Sequence, residues 1–167
     1  MELAFLRESK SLATKGVQTL ISNFYKMPGV LRFLTGMSLL YLLFLLMSVV
    51  PGTINVHGRI VTTAEWWANG SGIILMLSSA PLVISGFLLL TQSRYSRPSY
   101  IAGWAIVDVA VVWIANINGA SLSRAEACVY GLLCVASVGV FATYLYLSTP
   151  VKQYLNDVPQ ERRAGSP

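Results

Sequence analysis

Asp108 stands midway along an apolar run, residues 100–117, that is long enough to cross a lipid bilayer. It is the only charged residue more than one turn from the ends of any such run in the chain. A carboxyl group at that depth is costly, so it either fixes helix packing through hydrogen bonds or marks an ion- or proton-coupling site. Both roles need neighbours at the same depth. At ~1.5 Å of rise per residue, Tyr41, Ser78 and Ser137 fall close to the plane of Asp108 when counted from the ends of the other apolar runs. Asp108, Tyr41, Ser78 and Ser137 are therefore the candidate intramembrane polar cluster. Pro81, close by, frees a backbone carbonyl that Ser78 or Ser85 could serve.

Little else in the chain suggests chemistry. His57 is the only histidine and sits in a turn-like stretch, where a solvated turn residue is the expected role. Cys128 and Cys134 lie six positions apart inside one apolar run, which is neither a CxxC pair nor part of a metal-ligand set. Small packing residues are the reading for both. No Ser or Cys has a His beside it to act as base, and no glycine loop is built to cradle phosphate. The expectation is that the chain is not an enzyme and has no catalytic, cofactor-binding or metal-binding residues.

The elements that must position the acid follow from hydropathy. Of 167 residues, 54% are hydrophobic and 11% charged, against ~25% charged in soluble domains. Four apolar runs, 31–50, 72–90, 100–117 and 125–147, have the length of membrane spans. Uninterrupted runs of that length satisfy their backbone in hydrocarbon only as helices. The expected fold is an all-α membrane protein: four transmembrane helices in an antiparallel bundle, forming one integral membrane domain.

Charge gives the orientation. Of the 12 Lys and Arg, only Arg59 and Arg124 fall on one side of a four-span topology, and the rest fall on the other. The positive-inside rule puts both termini in the cytoplasm. The net charge of +5 is carried by residues flanking the spans, not by a basic stripe. That pattern predicts contact with anionic lipid headgroups and no nucleic-acid partner. Arg94 and Arg97, in the loop between the second and third spans, are the headgroup candidates.

The flanking segments carry their own patterns. In the arm 1–28, Val17, Leu20, Ile21 and Phe24 recur at helical spacing beside Lys15 and Lys26, which predicts an amphipathic interfacial helix. A basic, polar arm of this length is not the pattern of a cleavable secretory signal. Ile54-Asn55-Val56 and Arg59-Ile60-Val61 flank His57-Gly58, which predicts a small outer-loop β-hairpin. Thr62 with Glu65, and Ser123 with Glu126, match capping boxes at two helix starts. Trp66 and Trp67 follow the first of these in a short helix and are expected as interface anchors. Pro150 is expected to end the last span, leaving 151–167 as a cytoplasmic tail.

Helix faces can be read in part. Ser71, Ser78 and Ser85 repeat every seven residues, and Ser38, Tyr41 and Ser48 share a face, so both sets should turn inward. Ala105 and Ala115 near Asp108, and Gly131, Gly139 and Ala142 on the last span, should allow close helix approach. The four-span plan resembles, in topology only, small multidrug exporters, quinone-linked thiol oxidases and immunity proteins against pore-forming toxins. The oxidases need cysteine pairs in outer loops, which this chain lacks, and the exporters carry their acid in the first span. The resulting expectation is a small protein of a bacterial inner membrane that acts by contact with a membrane-protein partner or by self-association, as an accessory or assembly subunit or an immunity-type protein. The alternative is a small ion- or proton-coupled transporter using Asp108.

Overall fold

A computed structural model of the chain describes residues 2–50, 52–56, 58–119 and 123–156, with side chains from residue 14 onward. In chain order the elements are α1 (Glu2–Lys26), α2 (Gly29–Met47), β1 (Thr53–Val56), β2 (Arg59–Thr62), α3 (Thr63–Ala68), α4 (Ser71–Leu90), α5 (Ser96–Ile117), α6 (Arg124–Leu147) and α7 (Thr149–Asn156). Helices α2, α4, α5 and α6 are long and apolar enough to cross a membrane. The protein is a polytopic membrane protein with an N-terminal helix and a hairpin followed by a short helix. The hairpin lies at one end of the bundle, and α1 and α7 lie at the other, called here the terminal end. Helix α5 begins at Ser96, a turn ahead of the apolar run, so Arg97 is helical.

Helix α4 is the centre of the bundle, packed between α2 and α5. Small residues bring the backbones together, as helix contact in hydrocarbon requires. A Cβ on Gly103 of α5 would lie 2.9 Å from Leu82 Cα, and one on Gly86 of α4 would lie 3.1 Å from Ser38 Cβ of α2. Ser71, Ser78 and Ser85 are all buried. The Ser78 hydroxyl donates to the Leu75 carbonyl (3.1 Å) and the Ser85 hydroxyl to the Leu82 carbonyl (2.6 Å). Neither therefore serves the Leu77 carbonyl that Pro81 leaves without a partner N–H. Each bonds the carbonyl three residues back instead, within reach of its short side chain.

Helix α6 meets the bundle along a narrow seam. Tyr130, Cys134, Ser137, Phe141 and Tyr144 are half-buried and Leu145 is buried, while most of the residues between them are exposed. Their alternating spacing of four and three is that of a helix-pair seam. Gly131 and Gly139 lie off it, with no atom within 4 Å of an added Cβ, so they do not bring α6 close to its neighbours. Ala115 is buried but Ala105 is exposed, because the α5 surface around Asp108 turns toward α6 and not toward the Ala105 side.

Buried polar contacts lock the hairpin end. The strands pair antiparallel from Thr53 with Thr62 to Val56 with Arg59. Gly58, at φ +87°, donates its N–H to Asn55 Oδ1 (2.8 Å). His57 lies outside the described residues. Asn118, 1% exposed, donates to Ser71 Oγ (2.9 Å) and the Ile114 carbonyl (2.8 Å) and accepts from Asn69 Nδ2 (2.9 Å). Its carbonyl accepts from Arg59 (3.0 Å), so one residue joins the hairpin, α4 and α5. Thr62 caps α3, but the Glu65 carboxylate pairs with Arg59 instead of reaching back, since a guanidinium binds it more strongly than a neutral N–H does. Ser123 and Glu126 form a complete capping box on α6. Trp66 is buried, and the Trp67 ring packs on Gly72 while its N–H donates to the Ser48 carbonyl (3.0 Å). These indoles pack between α3 and the ends of the spans.

At the terminal end, Leu20 and Phe24 of α1 pack against the core while Val17 and Ile21 are exposed. Asn23 donates to the Leu90 carbonyl (2.8 Å). Arg32 donates to the carbonyls of Phe24, Tyr25 and Met27, closing the C-terminus of α1 as a cation there should. The expected tail instead begins as a helix: Pro150 lies in the first turn of α7, where its missing N–H costs nothing. Tyr154 donates to the Leu89 carbonyl (3.1 Å), its own carbonyl accepts from Gln92 (2.8 Å), and burial pushes its phenol up to about 12. Residues 157–167, with Arg162 and Arg163, lie outside the described residues.

Gly103→Ala forces α5 off the Leu82 backbone. Overpacking of this kind costs about 1–3 kcal/mol. The expected result is a lower midpoint of thermal unfolding in detergent, while Gly131→Ala, on the open face of α6, leaves the midpoint unchanged.

Candidate intramembrane site

The periodicity of α5 places Asp108 one turn above Trp104 and one below Val112, on the side that meets α6. Cys134 of α6 lies against its carboxyl group. Tyr41 of α2 and Tyr130 of α6 are within electrostatic reach. The seam spacing explains the pair from α6, since Tyr130 and Cys134 are four residues apart and stack on one face. Asp108 is half-buried as a residue, yet its Oδ2 is buried and makes no hydrogen bond among the described residues. The thiol is a weak donor, so the acid has no strong partner among the described residues.

Aromatic rings close the bundle on the terminal side of the acid. Tyr41 meets Trp104 edge-on with centroids 5.7 Å apart, Trp104 meets Phe141 at 5.3 Å, and Tyr100 meets Phe141 at 5.9 Å. This chain of rings links α2, α5 and α6. On the hairpin side Tyr41 borders an open cleft instead.

Of the four cluster residues expected from depth alone, Asp108 and Tyr41 come together. Ser78 is buried on α4 with its hydroxyl bonded to Leu75. Ser137 lies on the α6 seam with its hydroxyl bonded to the Cys134 carbonyl (2.9 Å). Both donors are thus used within their own helices. The residues at the site that lie outside the expected cluster are Cys134, Tyr130 and Trp104. Cys134 lies near the middle of its span, and Tyr130 and Trp104 lie one turn from Cys134 and Asp108, so helical spacing carried part of the signal.

The two arginines proposed for headgroups differ. Arg94 is exposed, donates to the Tyr95 hydroxyl (2.6 Å) and lies 4.7 Å from that ring's centroid. Arg97 is half-buried with its guanidinium 5.6 Å from the Tyr146 ring of α6. Arg97 therefore also ties α5 to α6, leaving Arg94 the freer of the two.

Chemically the site offers a carboxyl group, a thiol and two phenols at one depth. Such a set can exchange protons or accept a hydrogen bond from a donor brought by another molecule. It contains no base-activated nucleophile among the described residues. No protein-family model, curated protein or solved structure matches this chain.

An acid without a strong partner is a cost to the fold, not a support for it. Asp108→Leu is expected to stabilise the isolated chain in detergent by about 1–3 kcal/mol, read as a raised thermal midpoint. A lowered midpoint would show that the carboxyl group holds the helices together.

Proposed function

We propose that the chain acts by contact inside a bacterial inner membrane, with both termini in the cytoplasm, as an accessory or assembly subunit or an immunity-type protein, and that it is not an enzyme. The observation that carries this reading is α6. It crosses the membrane while burying only Leu145 against the rest of the chain. Its outward face carries Gly131, Val135 and Gly139, and the two glycines meet nothing. Small residues in a membrane helix serve close approach of another helix. The excess of Lys and Arg at the terminal end supports the orientation.

A photo-crosslinking amino acid in place of Val135 tests this in native membranes. A discrete protein adduct is expected, with none from Ile84 on the exposed side of α4. An adduct to a second copy identifies the partner as self. Absence of any protein adduct from Val135 counts against the reading.

A second reading, a small proton- or ion-coupled transporter, is favoured by the Asp108 carboxyl group lacking a strong partner beside Tyr41, Cys134 and Tyr130. In liposomes it requires flux that Asp108→Asn abolishes. Equal flux from both proteins removes it.

A further inference from the structure

Helix α1 carries an apolar surface that the bundle does not use. Val17, Ile21 and Tyr25 follow one another at one-turn spacing on one side of the helix. They are 55%, 52% and 69% exposed. At ~100° of turn per residue, Leu20 and Phe24 lie ~60–100° to one side of Ile21, and both pack against the core. Asn23, beside them, donates to the carbonyl of Leu90, the last residue of α4 (2.8 Å). Lys15 and Lys26, both exposed, lie ~120–140° to the other side of Ile21. The apolar stripe read from the sequence is therefore divided. Leu20 and Phe24 belong to the bundle, while Val17, Ile21 and Tyr25 are left for another medium.

The position of this open side names the medium. Ile21 and Tyr25 border a shallow hollow with Leu39 of α2 and Leu90 of α4. Leu39 lies ten residues past Gly29, the start of α2, or ~15 Å along that helix. The open side of α1 thus turns toward the flank of two membrane spans, where the surroundings are hydrocarbon. Charge agrees. Among the described side chains at the terminal end, Lys15, Lys26, Arg32, Arg94, Arg97 and Lys152 are cations and none is an acid.

We propose that α1 is a binding surface for anionic phospholipid. It lies in the plane of the leaflet, with Val17, Ile21 and Tyr25 in the acyl layer and Lys15 and Lys26 among the phosphates. Lysine stems rooted on the flank of such a helix reach up to headgroup level, which suits the offset of Lys15 and Lys26 from Ile21. A soluble protein partner would have to displace lipid from beneath the helix to reach the same side chains. Neutral lipid satisfies the apolar side, but only anionic lipid answers the lysines, so the seat of α1 depends on the charge of the leaflet. The inference requires only that the chain spans the membrane and is independent of the contact role proposed for α6.

The test uses the full chain with Cys128→Ser and Cys134→Ser, one copy per lipid nanodisc of mixed phosphatidylcholine and phosphatidylglycerol. A nitrobenzoxadiazole fluorophore is attached through Ile21→Cys or, on the opposite side of α1, through Thr19→Cys. Dithionite bleaches the fluorophore only from water. Bleaching is expected to be slow for Ile21→Cys and fast for Thr19→Cys. Lys15→Gln with Lys26→Gln should speed bleaching at position 21 by about fivefold for each lysine removed. Discs of phosphatidylcholine alone should speed it in the chain that keeps both lysines. Fast bleaching at both positions leaves the apolar side for a protein partner, and slow bleaching at both buries α1 in protein all round. Either result overturns the proposal. So does a rate at position 21 that ignores both the lysines and the lipid charge.

Discussion

Backbone contact between α4 and α5, where Gly103 meets Leu82, is the interaction on which the other elements are arranged. In lipid, apolar side chains gain little by leaving hydrocarbon for one another, so helices hold together through close packing and polar contacts. Glycine at the crossing lets dispersion act between backbones at short range. Helix α4 then offers its other side to α2, again through small residues, Gly86 against Ser38. Both ends of this core are locked by polar groups. At the hairpin end Asn118, just beyond α5, reaches Ser71 at the start of α4. At the terminal end Tyr154 and Gln92 tie α7 to the end of α4.

Helix α6 stands apart because its small residues are not used this way. It is held by a seam of aromatic and half-buried side chains, strongest near Phe141 and Leu145. Asp108 falls on that seam, opposite Cys134. A carboxyl group there is shielded from lipid without being strongly bonded, so it adds little to the fold. On the contact role proposed above, that combination, a loosely held helix over an acid without a strong partner among the described residues, is what another molecule would act on. A partner helix on the outer face of α6, or a proton on Asp108, would each act on the same seam.

Much of this arrangement is legible in residue types. The spans follow from hydropathy, the buried serine face of α4 from its seven-residue repeat, and the start of α6 from Ser123 and Glu126. The rotation of α6 is not legible, because its lipid-facing and core-facing sides are both apolar and no polar stripe separates them. Depth therefore selected Ser137 as readily as Cys134, though only the thiol lies against the carboxyl group. Long-range pairing is equally hidden: Glu65 reads as a capping residue until the hairpin brings Arg59 beside it. Trp66 and Trp67 read as headgroup anchors, but their packing against Ile114 and Gly72 is a long-range contact that spacing does not carry. Pro150 reads as a stop, and it does follow the end of α6, but the same residue opens α7.

The central claim is that Asp108 of α5 faces Cys134 across the seam, with the glycine face of α6 turned outward. Cysteine cross-linking in native membranes tests it most directly. In a chain carrying Cys128→Ser, the substitution Asp108→Cys should give, on mild oxidation, a disulfide to Cys134 within one chain. Moving the partner to the outer face, with Cys134→Ser and Gly131→Cys, should give none. A bond in the second protein and not in the first would contradict the account.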